Sequence, residues 1–312
     1  MKLVVTIPAY NEESTIGRVI RDVPRIIKGV SRVEVLVIND GSLDGTAKAA
    51  KTAGADRIVS HTHNLGLGNA FRTGLDNALG MGADIIVNID ADGQYVGSEI
   101  KDLIRPILEK KADMVLGSRF SGQIEHMAAW KRIGNRIATR TVRFLSGIPI
   151  TDGQTGFRAF SRDAALRLNV MSNYTYTQET IIQAAMKGMK IVEIPCTFRR
   201  REGHSKLISS VSNYAKRSTT ILFRTYRDYK PLKFFGIIGA IIFVLGVIFG
   251  GYIFIRWLFT GLVTPHVPLA ILSAILLIVG FQVILFAFLA DMMGQLRRLQ
   301  EDILYRVRKN GS

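Results

Sequence analysis

The sequence predicts an α/β domain with a mostly parallel sheet covered by helices on both faces, followed by a two-helix transmembrane hairpin. Three observations carry this. Short β-branched apolar runs alternate with amphipathic stretches over the first two thirds of the chain. Clusters of Asp, Asn and Gly stand immediately after several of those runs. Two uncharged stretches of 22 residues, 234–255 and 269–290, lie near the C-terminus.

Strands are expected at Leu3–Ile7, Val33–Ile38, Arg57–Val59, Asp84–Ile89, Asp113–Leu116 and Ile191–Phe198. The longer runs are apolar with little alternation, the pattern of strands covered on both faces. Helices fit Ser14–Ile27, Gly45–Ala53, Gly68–Leu79, Ser98–Lys110, Asp163–Leu168 and Thr177–Lys187. Met127–Ser146 is a further helix, with Arg132, Arg136, Arg140 and Arg143 at spacings that share one face. Met127, Trp130, Ile133, Ile137, Phe144 and Leu145 give it apolar surface. Residues 206–230 repeat that basic amphipathic design, which suits anionic headgroups at a membrane surface.

Either 22-residue stretch is long enough to cross a bilayer core of about 20 helical residues. Between them, Arg256–Pro268 is short and carries Pro265 and Pro268 as breakers. Lys230 and Lys233 precede the first span, and Arg297, Arg298, Arg306, Arg308 and Lys309 follow the second. The positive-inside rule then places residues 1–230 and the C-terminal tail in the cytoplasm. The N-terminal MKLVVTIPAYNEE turns polar too soon for a signal peptide. The expected division is a catalytic domain over 1–205, a juxtamembrane helix over 206–230, and hairpin plus basic tail over 231–312.

Composition narrows the function classes. Lys and Arg number 41 against 25 Asp and Glu, a net charge of +16, yet 48% of residues are hydrophobic, which excludes global disorder. One cysteine, Cys196, excludes an internal disulfide framework and a Cys-based zinc site. No GxxxxGK[ST] phosphate loop occurs, and Gly66-Leu67-Gly68-Asn69-Ala70-Phe71 lacks the third glycine of a dinucleotide fingerprint. Those glycines are expected to open a helix beside a nucleotide. Charge alone would allow a nucleic-acid partner, but the two spans argue against one.

Ligands of parallel sheets bind at the carboxyl ends of the strands. Here those ends carry Pro8-Ala9-Tyr10-Asn11-Glu12, then Asn39-Asp40-Gly41-Ser42-Leu43-Asp44-Gly45-Thr46, then Asp90-Ala91-Asp92-Gly93-Gln94. Carboxylates gathered around one crevice repel unless a cation or a donor-rich ligand joins them. Asp90, Asp92 and Gln94 offer oxygen alone, the set favoured by Mg²⁺ or Mn²⁺ with substrate phosphates.

Together with GSRF (117–120), DGQTGFRAF (152–160) and GHSKL (203–207), these motifs resemble the family-2 glycosyltransferases of the GT-A fold, in the family's order over about residues 3–207. The most similar subgroup is the polyprenyl-phosphate glycosyltransferases, such as dolichyl-phosphate mannose synthase and undecaprenyl-phosphate glucosyltransferase. The resemblance implies inverting transfer of one sugar from a UDP- or GDP-sugar to a dolichyl or undecaprenyl phosphate. Pro8, Ala9, Tyr10, Glu12 and Asp40 would hold the base and ribose. Asp90, Ala91 and Asp92 would face the donor, with Asp90, Asp92 and Gln94 on the metal. Arg200 and Lys206 would close over the diphosphate. Arg119, Lys131, Arg132 and Asn135 would hold the acceptor phosphate. Asp152 is either a base, a group orienting Arg158, or a group positioning the acceptor. Asn39 stands where the family often has Asp, and Asn135 where Ser is common. A homo-oligomer is compatible with all of this. A processive polysaccharide synthase would carry QxxRW; here the only RW is Arg256-Trp257, preceded by Ile253. A non-catalytic membrane scaffold would not need the full acidic set.

Overall fold

The computed structural model describes residues 1–171, 176–200, 226–227 and 230–311. Lys206 and nearly all of the expected 206–230 helix lie outside the described residues. The chain divides into two compact units, Met1–Thr219 with Leu304–Ser312, and Thr220–Ile303.

The first unit is built on a seven-stranded sheet of order β3-β2-β1-β4-β6-β5-β7. Its strands are β1 (Lys2–Ala9), β2 (Arg32–Asn39), β3 (Arg57–Ser60), β4 (Ile85–Asn88), β5 (Met114–Ile124), β6 (Arg158–Ser161) and β7 (Ile191–Phe198). Pairing is parallel except where β6 runs antiparallel between β4 and β5. The sequence reading lacks β6, because Arg158-Ala159-Phe160-Ser161 is too short and polar to stand out as a strand. It also ends β5 too early. β5 leaves register with β7 between Ser118 and Gln123 and then pairs again. Gly122 lies so close to Cys196 there that a Cβ would overlap its carbonyl oxygen.

Helices α1 (Glu13–Asp22), α2 (Thr46–Thr52), α3 (Leu67–Gly80), α4 (Ile100–Leu108), α5 (Ala129–Ser146), α6 (Arg162–Arg167) and α7 (Thr177–Met186) fall near their expected places. α1 stops five residues before Ile27, because Val23 precedes Pro24 and is held extended. Leu3, Val5 and Ile7 meet Ile16, Val19 and Ile20 of α1 and Leu103 and Ile104 of α4 on one face of the sheet. On the other face Thr6 and Ile38 pack against α3 at Gly74. Fully burying one such aliphatic side chain stabilises by about 1.5–3 kcal/mol. The strand interiors therefore hold the sheet, and the loops at its carboxyl end are free to carry polar groups.

The second unit is a hairpin of α8 (Pro231–Thr260) and the first part of α9 (Val267–Gly311), both long and apolar enough to cross a membrane. The connection is shorter than expected. α8 continues through Arg256 to Thr260, and Pro268 sits in the first turn of α9, where its missing N–H costs nothing. Gly246 approaches Leu277 and Gly280 approaches Phe243 at the seam, and Ser273 Oγ donates to Gly246 O at 2.9 Å. Small residues allow this backbone contact, as helices in lipid require. Arg256 meets His266 at the connecting end. The last residues of α9 belong to the first unit. There Tyr305 Oη donates to Asp163, and Arg308 donates to Leu168 O and pairs with Asp76.

Candidate active site

The loops after β1 and β2 are hydrogen-bonded to each other. Asn11 N donates to Ser42 Oγ (2.9 Å), and Leu43 N to Asn11 Oδ1 (2.8 Å). Glu12 N donates to Thr46 Oγ1 (2.8 Å), and Gly45 N to Glu13 Oε2 (2.9 Å). Asn11 adopts φ +54°, a left-handed conformation that Asn tolerates better than most residues. Pro8 and Ala9 end β1, with Tyr10 and Glu12 just beyond. Glu12 accepts from Thr15 Oγ1 of its own helix. Asp40 is buried, and its carboxylate accepts from His61 Nδ1 and from the backbone N–H groups of Leu65 and Gly66. It thus fastens the 61–66 loop, which leads into α3 through Gly66.

Beyond β4, Asp90 and Asp92 are half-buried on either side of buried Ala91. Asp92 accepts from Gln94 N at 3.1 Å. Gln94 Nε2 donates to Arg199 O (3.2 Å), which leaves the acceptor end of that amide on its other side. A Cβ at Gly156 would overlap the Asp90 carboxylate, so the glycine is what admits it. Among the described residues no three His, Cys, Asp or Glu side chains cluster at metal-ligand spacing. Two carboxylates and one amide oxygen still fit a hard cation that takes its remaining ligands from phosphate and water.

Within β5, where the strand leaves register with β7, Arg119 forms a buried ion pair with Asp152. Arg119 Nε and Nη2 donate to the two carboxylate oxygens at 2.6 and 2.8 Å, and Arg119 N adds a third bond at 3.1 Å. Burial pushes the Asp152 carboxyl up, but the guanidinium overrides it by charge and hydrogen bonding, and the carboxyl sits below the ordinary carboxylate range. Burial likewise acts to lower Arg119, and the Asp152 charge reverses this and holds the guanidinium firmly protonated. A carboxylate so held is a poor proton acceptor at neutral pH. Of the three expected roles for Asp152, orienting Arg158 is not observed. Arg158 donates instead to Thr155 O, Thr177 O and Thr180 Oγ1 at 2.7 Å, and to Gly153 O at 3.3 Å. It is fully buried, and desolvation brings it down to about 10.

The segment 152–157 therefore joins two groups. Asp152 holds Arg119, and Gly156 touches Asp90, four residues apart and at most about 14 Å in the extended limit. Arg158 braces the segment from below. Asn88 Nδ2 does the same by donating to Gly156 O (2.9 Å) and Tyr176 Oη (2.7 Å). Thr139 of α5 accepts from Gly153 N at 3.0 Å.

The remaining predicted residues are dispersed. Asn135 faces inward on α5, Arg132 faces outward, and Lys131 lies over the Trp130 ring. Arg200 is exposed, its backbone N–H donating to Glu125. The sequence reading missed Asn88, Tyr176 and Gly156, and gave Arg158 only as a residue for Asp152 to orient. Asn88 left a signal, an amide inside the apolar run Ile85-Ile86-Val87-Asn88-Ile89.

A mostly parallel sheet thus carries a carboxylate pair beyond β4 and a fixed guanidinium within β5, groups suited to a cation and to an anionic substrate. The family model "Glycosyl transferase family 2" matches residues 4–168, and "Glycosyltransferase family 2 C-terminal transmembrane region" matches residues 205–294. The chain belongs to glycosyl transferase family 2, and it is an integral membrane protein. It is 29% identical over 295 residues to glycosyltransferase AglJ of Haloferax volcanii, covering 94% of each chain. It is 32% identical over 222 residues to polyprenol monophosphomannose synthase of Mycolicibacterium smegmatis, covering 67% of this chain and 82% of that one. The fold matches glucosyl-3-phosphoglycerate synthase from Mycobacterium tuberculosis, solved with Mn²⁺, uridine diphosphate and phosphoglyceric acid. The TM-score is 0.57 at 22% identity, over 72% of this chain and 77% of that one.

Proposed function

We propose that the protein transfers one sugar, with inversion, from a nucleotide sugar to the phosphate of a polyprenyl lipid at the cytoplasmic membrane face. The observation that carries this is the 152–157 segment, whose Asp152 fixes a buried, charged Arg119 and whose Gly156 packs against the Asp90 carboxylate. The printed activity of the polyprenol-phosphate relative supports the same acceptor. Arg256-Trp257 lies within the apolar helix α8, so it does not act as the QxxRW of a processive synthase.

In this reading the β1 and β2 loops hold the nucleoside. Asp90, Asp92 and Gln94 would hold Mg²⁺ or Mn²⁺ beside the donor diphosphate, where such a cation would supply positive charge for the leaving group. Arg119 presents its remaining N–H edge to the acceptor phosphate, reducing repulsion between two anions. The acceptor oxygen attacks C1 and the nucleoside diphosphate departs from the opposite face. A phosphate is already ionised near neutral pH, so Asp152 serves by fixing Arg119 and not by removing a proton. Arg200 and Lys206 complete the donor side, and Lys131 and Asn135 the acceptor side.

Helix α5 supports the membrane placement. Ile133, Ile137 and Phe144 are 58%, 64% and 76% exposed, beside the outward-facing Arg132, Arg136, Arg140 and Arg143. An apolar row edged by cations suits the headgroup region of an anionic leaflet. The test is a panel of UDP- and GDP-sugars offered to the purified full chain with and without a short polyprenyl phosphate. Sugar transfer that requires the lipid phosphate is expected. Donor hydrolysis at the same rate without it would overturn the reading.

A further inference from the structure

Arg119 and Asp152 rest on a second carboxylate that the reaction does not use directly. Glu193 lies on the edge strand β7, opposite Leu116 of β5. Its Oε2 accepts from Thr151 N (2.7 Å) and from Thr151 Oγ1 (2.9 Å), and its Oε1 accepts from Asp152 N (2.9 Å). One carboxylate thus grips two successive backbone N–H groups and a hydroxyl. The peptide carrying Asp152 is fixed immediately before that side chain reaches Arg119.

A second route runs through hydroxyls. A carboxylate only accepts, so the Thr151 hydroxyl must donate to Glu193. Its oxygen is then left to accept from Ser118 Oγ at 2.6 Å. Ser118 Oγ in turn accepts from Ser121 N and Ser121 Oγ, both at 3.2 Å. Ser118 and Ser121 bracket Arg119 where β5 loses register with β7. Glu193 therefore reaches Arg119 through Asp152 and through the backbone on either side of it.

We infer that Glu193 is a positioning residue for the acceptor phosphate, acting through Thr151 and Asp152 to aim the Arg119 guanidinium. This rests on the assignment of Arg119 to the acceptor. In that geometry the β7 edge is part of the active-site support, and a change there is felt in acceptor use and not in donor binding.

The test is a double-mutant cycle on the full-length enzyme, measuring acceptor and donor KM and kcat for E193Q, R119A and the double variant. Gln keeps the size of Glu but turns an N–H donor toward groups that are themselves donors. E193Q is expected to raise the acceptor KM by roughly tenfold, the lower end for losing a charge-assisted hydrogen bond, with the donor KM unchanged. R119A should raise it further, and the double variant should be no worse than R119A. Multiplicative effects in the double variant, or a wild-type acceptor KM in E193Q while R119A is impaired, would overturn the inference. If R119A and E193Q both shift the donor KM instead, the coupling stands and Arg119 belongs to the donor side. If E193Q does not fold, T151A removes the hydroxyl alone from an exposed position. It should shift the acceptor KM in the same direction by about twofold to threefold, within the range of a single modest hydrogen bond. No shift in T151A would then overturn the inference.

Discussion

Asp152→Asn removes one charge while keeping the shape of the side chain. In the wild type Asp152 is completely buried and receives three hydrogen bonds from Arg119, itself 8% exposed. Asparagine offers one acceptor oxygen and turns an NH₂ group toward a guanidinium that cannot give up its proton. Removing one partner of a buried pair costs about 3–5 kcal/mol, because the other charge stays in a medium that cannot solvate it. In a domain of this size each kcal/mol moves Tm by about 2–4 °C, so the expected drop is roughly 6–20 °C. Scanning calorimetry of wild type and variant across a pH series is the assay. The sign follows from the depressed carboxyl of Asp152. Its stabilisation is fully present above the unfolded value of about 3.9 and is lost as pH falls through the lower folded value. The gap between the two proteins should stay level above about pH 5 and narrow only below about pH 4. A variant within 1–2 °C of wild type, or a gap that changes between about pH 6 and 8, would refute the reasoning. It would return Asp152 to the role of a titrating base.

Three further outcomes are expected. Asp92→Ala should lower kcat/KM by on the order of 10²-fold, and EDTA should abolish activity until Mg²⁺ or Mn²⁺ is restored; full activity in EDTA would remove the cation from the mechanism. Gly156→Ala forces a Cβ onto the Asp90 carboxylate, so the cation concentration needed for half-maximal activity should rise while acceptor KM stays put. A peptide of residues 127–146 should bind anionic vesicles with a blue shift of Trp130 emission and be released by salt; equal binding to neutral vesicles would count against the arginine face.

The central strands β1, β2 and β4 were legible because they are buried nearly throughout, and burial writes itself as uninterrupted apolar runs such as Val35-Leu36-Val37-Ile38. β6 was not, because a four-residue antiparallel strand gains its identity from neighbours that are distant in sequence. The acidic crevice was visible because Asp90, Asp92 and Gln94 sit together at one strand end. The cationic half was only partly visible. The motifs named Arg119 and Asp152 but not their pairing, since a contact across 33 residues leaves no periodic trace. Asn135 and Arg132 read as one acceptor cluster in sequence, and their i,i+3 spacing keeps them on neighbouring sides of α5, yet the core boundary falls between them, with Asn135 buried and Arg132 exposed. Arg158 entered the sequence reading only as a residue for Asp152 to orient. Its carbonyl partners made it a brace, and carbonyls are present at every residue, so sequence offers no signal for them.

The stitched loops after β1 and β2 bear on how the enzyme tolerates change. Asn11 and Leu43 are 32 residues apart in the chain, yet the Asn11 side chain fixes the Leu43 backbone while Ser42 fixes that of Asn11. Glu13 and Gly45 are joined the same way, and a Cβ at Gly45 would strike the Glu13 carboxylate. A substitution in one loop therefore presents its cost in the other. The two segments behave as a single mutational unit, and grafting either from a relative requires moving both together. Exchanging either loop alone would leave unsatisfied N–H groups at the carboxyl ends of β1 and β2 before any contact with a ligand had been altered.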